Sequence, residues 1–135
     1  KMKILKLALI ALVFTSTFAA CKKDHDQSTQ SNPTMQGVYA GKFGYGVDTP
    51  DEDFKFAIKA NGVFQELSVN NGNATGQGTY TMNGNSFTAT YNMLWAPYNK
   101  YSVAGTFNPS TGKIVGTWGY DNSTTDGGKI DMAKQ

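Results

Sequence analysis

Nucleophilic relays and zinc sites draw on histidine and cysteine, and this chain has one of each, His25 and Cys21. A Ser–His or Cys–His relay needs its base beside its nucleophile inside a fold, and zinc needs several such ligands at once. His25 lies between Asp24 and Asp26 in a strongly polar stretch, the setting of a solvated side chain. The sequence therefore predicts no catalytic residues, no metal site, no cofactor and no enzyme. All twelve basic residues are lysines. Nucleic-acid readers rely on the arginine fork for phosphates and base edges, so no nucleic-acid partner is expected.

Carboxylates are the remaining reactive groups. Asp48, Asp51, Glu52 and Asp53 cluster in one segment, and Asp121 and Asp126 flank Asn122 in another. Oxygen-rich loops attract hard cations, but this spacing fits no helix-loop-helix calcium loop. A glycosidase needs a carboxylate pair, one of them raised in pKa by apolar surroundings. Both segments read instead as charged hairpin tips that discourage edge pairing.

A different feature suits binding. Leu94-Trp95-Ala96-Pro97-Tyr98 puts two aromatic rings at a turn, where Gly, Asn and Asp usually stand. Trp and Tyr bring a large contact area with one polar end. Trp95, Pro97, Tyr98 and Asn99 are the candidate ligand rim, with Asn92 and Lys100 near enough in sequence to add hydrogen bonds. The competing role for Trp95 is a plug folded over the end of the domain.

These groups need elements to carry them. From Gln36 to Gln135 the chain alternates with period two between turn signals, notably Asn61-Gly62, Asn71-Gly72 and Asn83-Gly84. One apolar face reads Tyr39, Gly41, Phe43, Tyr45; Phe54, Phe56, Ile58; Val63, Leu67, Val69; Tyr80, Met82; Phe87, Ala89, Tyr91, Met93; Tyr101, Val103, Gly105, Phe107; Ile114, Gly116, Trp118, Tyr120; Ile130, Met132. Phe64 falls on the opposite face as an exception. About eight short-linked strands with one greasy face each predict an all-β fold, a small antiparallel up-and-down β-barrel. A β-sandwich satisfies the same periodicity. A barrel this size has room for its own side chains and little more, so a filled interior is expected.

Ahead of the strands, Lys1, Lys3 and Lys6 precede the apolar run from Leu7 to Phe14, then small residues to Cys21. This order is that of a secretory signal. The run is far shorter than the roughly 20 residues of a spanning helix. Phe18-Ala19-Ala20-Cys21 resembles the bacterial lipobox. The resemblance implies cleavage before Cys21, lipidation of its thiol, and a membrane partner reached through the acyl chains. Residues 22–35 are polar and read as a flexible tether. The expected organisation is thus signal peptide 1–20, lipidated Cys and tether 21–35, and a barrel domain 36–135. Lys22 in place of an Asp after the Cys points to the outer membrane, on its periplasmic leaflet or at the cell surface. From Cys21 onward nine lysines stand against ten acids, a net charge of −1, which offers no basic face to anionic lipid or nucleic acid.

Gly37-Val38-Tyr39-Ala40-Gly41, Gly78-Thr79-Tyr80, Gly105-Thr106-Phe107 and Gly116-Thr117-Trp118-Gly119 together resemble the small lipocalin-like domains found in lipoproteins of the Bacteroidota. That resemblance implies a binding or envelope role without inherited catalytic residues. The functional expectation is a lipid-anchored, non-enzymatic binding module for a small apolar ligand or a glycan. A structural or protein-partner scaffold is the alternative.

Overall fold

The computed structural model describes residues 35–135. The expected signal peptide, Cys21 and residues 22–34 of the expected tether, His25 among them, lie outside the described residues. The strands are β1 (Gly37–Tyr45), β2 (Glu52–Ile58), β3 (Val63–Leu67), β4 (Ala74–Asn83), β5 (Ser86–Met93), β6 (Lys100–Asn108), β7 (Lys113–Tyr120) and β8 (Gly128–Lys134). Each pairs antiparallel with the next, and β8 returns to β1, Gly41 opposite Met132 and Phe43 opposite Ile130. The sheet closes into an eight-stranded barrel. Closure leaves no unpaired edge, which a sandwich would have had to protect by other means.

Turn chemistry acts where the sequence places it. Asn61 and Gly62 adopt φ of 59° and 72° between β2 and β3, in the short 3-10 turn Ala60–Gly62. Gly72 (74°) serves the β3–β4 turn, and Gly84 (59°) the tight β4–β5 turn. Positive φ is open to Gly and tolerated by Asn.

The barrel has two unlike ends. One is packed solid. Tyr39, Phe56, Phe64, Tyr80 and Phe87 meet there with Ile58, Phe107, Ile114 and Met132, all buried. Tyr39 stacks on Phe56 at 5.2 Å, and Phe56 lies 5.1 Å from Phe64. Met35 is fully buried, and its carbonyl accepts a 2.8 Å hydrogen bond from the Tyr39 hydroxyl. Composition alone places Met35 at the end of the tether. In the fold it plugs this end, because an apolar side chain next to an open barrel bottom gains by entering it. Burial pushes the Tyr39 hydroxyl up to about 12.

The third strand departs from the expected facing. Phe64, read as an outward exception, is fully buried, whereas Val69 lies beyond β3 and is exposed. Register explains it. Phe64 pairs with Ile58 and Glu66 with Phe56, both inward residues of β2. Paired residues share a face, so Phe64 and Glu66 point inward and Val63 does not. A one-residue error flips a whole strand.

Candidate ligand-binding site

The other end of the barrel is open. Four connections surround it: 46–51, 68–73, 94–99 and 121–127. Beneath them lies a cavity of about 390 Å³, at the lower end of the roughly 300–1,000 Å³ of small-molecule sites. The expected filled interior therefore holds only for the packed end. The inner residues near the mouth are ring-shaped and stand edge to face. Phe43 meets Trp118 at 5.7 Å and 84°, and Phe54 at 5.7 Å and 68°. Tyr101 meets Trp118 at 6.1 Å and 61°. Edge-to-face contact is a favoured geometry for aromatic pairs, and these rings line the cavity wall.

Three of these rings are fixed by polar bonds as well as packing. The Trp118 indole N–H donates to the Gly44 carbonyl at 3.0 Å. Between them runs β8, whose Gly128 pairs with both Trp118 and Tyr45. A Cβ on Gly128 would collide with the Gly44 carbonyl, so only glycine lets the indole reach across. Tyr101 accepts a 3.3 Å bond from the Asn99 side chain. Tyr91 is buried and hydrogen-bonds to Glu66.

Glu66 is the polar group that sequence reasoning missed. It lies on the cavity wall with Thr75, Tyr91 and Ser68. The Thr75 hydroxyl donates to its Oε1 at 3.0 Å. A register shift between Glu66 and Leu67 makes this contact: Glu66 faces Gly76, Leu67 faces Ala74, and Thr75 is the extra residue. Such a bulge re-aims side chains. Burial raises the Glu66 carboxyl above its ordinary value, and the Tyr91 and Thr75 hydroxyls pull partly the other way. Burial, then the Glu66 charge, pushes Tyr91 well above the phenol range. The available signal was Phe64: an aromatic residue on the supposedly wet face of β3 carried the true register, and Glu66 shares its parity.

The residues singled out from sequence separate here. Trp95 lines the cavity at its mouth and is 49% exposed, so it borders the opening without sealing it. Tyr98 is exposed at φ 57°. Pro97 and Asn99 sit in the same loop outside the cavity wall. Asp53 also borders the cavity, but its carboxylate is 2.8 Å from Lys42 Nζ. Asp126 accepts from the Tyr120 backbone N–H at 2.8 Å, and Asn122 from Lys100 Nζ at 2.6 Å, so both cap the last mouth loop. Among the described residues no group of three or more His, Cys, Asp or Glu converges as a metal site would.

No family model matches the chain, and no solved structure matches it. Two curated proteins are similar to it. Ethylene-inducing xylanase 3 of Verticillium longisporum is 32% identical over 122 aligned positions, covering 76% of this chain and 41% of that protein. Ethylene-inducing xylanase 1 of Verticillium dahliae is 28% identical over 142 positions, covering 88% of this chain and 62% of that protein. The chain thus spans less than two thirds of the length of either relative.

Proposed function

We propose that the protein is a lipid-anchored binding module whose small ligand, apolar over most of its surface, occupies the open-end cavity. One observation carries this reading: a closed barrel packed solid at one end keeps about 390 Å³ unfilled at the other, walled by rings with a carboxyl group at its side. Packing in protein interiors leaves few voids larger than water, and a lasting apolar space open to solvent is the usual form of a ligand site. The anchor is supported by sequence order alone, the basic start, the apolar run and Phe18-Ala19-Ala20-Cys21. Two or three acyl chains, at about 0.8 kcal/mol per buried CH₂, make a stable attachment.

The cavity is tested with N-phenyl-1-naphthylamine, a neutral fluorescent probe. The full chain should bind it saturably at one site, and Ser68→Trp, which fills the cavity from its wall, should abolish the signal. Unsaturable or unchanged binding rejects the pocket. The anchor is tested separately. Cys21→Ala should move the protein from the detergent phase to the aqueous phase, and a variant that stays in detergent rejects lipidation.

A glycan is the second reading, favoured by the xylanases among the similar proteins and by Trp95 and Tyr98 exposed at the rim. Hydrolysis asks for two carboxyls roughly 5–9.5 Å apart flanking the bond. Glu66 is one; Asp53, the other acid on the wall, is engaged by Lys42. This arrangement suits holding a sugar better than cutting it. Titration with xylo-oligosaccharides, alongside an assay for new reducing ends, separates the two.

A further inference from the structure

We propose that the ligand of this cavity is a small organic ammonium, its cationic nitrogen seated between Glu66 and the aromatic wall. The proposal deepens the binding reading and rests on it.

Glu66 is a carboxylate in need of a counter-charge. Its partners in the fold are two hydroxyls, from Thr75 and Tyr91. Lys42 pairs with Asp53 at the border of the cavity and Lys113 with Asp131 on the outer surface, and among the described residues no lysine acts on Glu66. An ionised carboxylate taken from water without a cation is costly, and hydroxyl donors offset only part of that cost. A ligand that brings a positive charge supplies the rest.

The wall suits the same cation. Phe43, Phe54, Tyr91, Tyr101, Trp118 and Trp95 line the space around the carboxyl. Ammonium groups are attracted to aromatic faces, and most strongly where water is excluded. A neutral apolar ligand would gain from the rings but leave Glu66 unmatched. An anion would be repelled by it.

Charge on the approach gives an independent argument. Asp48, Asp51, Glu52, Asp53, Asp121 and Asp126 all stand on the mouth loops or the strand ends beside them. Lys42, Lys55, Lys100 and Lys129 are the lysines near them, four against six acids. Lys59, Lys113 and Lys134 lie toward the packed end. The field is therefore negative at the opening, which raises the local concentration of cations and disfavours anions.

The experiment compares 2-phenylethylamine with its neutral near-isostere 2-phenylethanol, by calorimetric titration of the full chain and of Glu66→Gln. The amine should bind the wild-type protein about tenfold or more tighter than the alcohol, as a charge-assisted bond in a partly buried site allows. Glu66→Gln should bring the amine down to the alcohol while leaving the alcohol unchanged. Equal binding of both ligands to the wild-type chain overturns the proposal without harming the pocket reading. A preference that survives in Glu66→Gln also overturns it, since the mouth charges alone then explain it. If neither ligand binds and N-phenyl-1-naphthylamine does not bind either, the pocket reading itself has failed.

Discussion

Glu66 and Tyr91 meet across a strand that places no side chain between them. Glu66 lies on β3 and Tyr91 on β5; the residues of β4 that pair with them are Gly76 and Gly78. A Cβ on Gly76 would stand 2.7 Å from the Tyr91 ring. The missing side chain therefore lets the phenol lean over β4 to the carboxylate. Carboxyl, phenol and glycine form one unit, and the wall of the cavity depends on it.

That unit sets a pH dependence. Burial raises the Glu66 carboxyl in the fold, so between the unfolded and the folded pKa the folded chain holds a proton that the unfolded chain releases. Stability attributable to this group is highest below its unfolded pKa and falls as pH rises through the raised folded one. Glu66→Gln keeps an acceptor for Thr75 and removes the charge. It should melt higher than wild type at pH 7 and alike near pH 4, as read by thermal melts across that range. A Gln variant that melts lower at neutral pH would show that the ionised form is the stabilising one.

Gly76→Ala should cost about 1–3 kcal/mol, as overpacking of a fixed site does. The Tyr91 ring is buried and has little freedom to retreat. Urea unfolding measures the cost, and ultraviolet titration of the tyrosines should show one phenol returning toward its usual range as the contact with Glu66 opens.

Trp118→Ala should destabilise by about 3–5 kcal/mol. The indole is 8% exposed, touches Phe43, Tyr45, Tyr101 and Tyr120, and ties β7 to β1 through Gly44. Denaturant unfolding that shifts by less than about 1 kcal/mol would place the ring outside the core.

Trp95→Ala with Tyr98→Ala should leave the melting point nearly unchanged, since both rings are about half exposed or more and surface changes are usually within about 0.5 kcal/mol each. Binding of the cavity ligand should weaken, because Trp95 borders the opening. A large drop in melting temperature would instead make the pair a structural cap.

Much of this architecture is written in local sequence. Period-two alternation marks eight strands, Asn-Gly pairs mark three of their turns, and one apolar face per strand asks for a closed sheet. Those signals are local because strand pleat and turn dihedrals are set by near neighbours. Trp118 and Tyr91 could be placed inside from parity alone, and Trp95 at a turn from its neighbours. What the chain does not carry locally is the register of β3. Val63, Leu67 and Val69 offer as regular an apolar face as Phe64 and Glu66 offer a mixed one, and only pairing with Phe56 and Ile58 decides between them. The bulge at Thr75, the meeting of Glu66 with Tyr91 over Gly76 and the place of Glu66 on the cavity wall follow from that choice. Each rests on contacts between separate strands, so each is decided by the assembled sheet and by no strand alone.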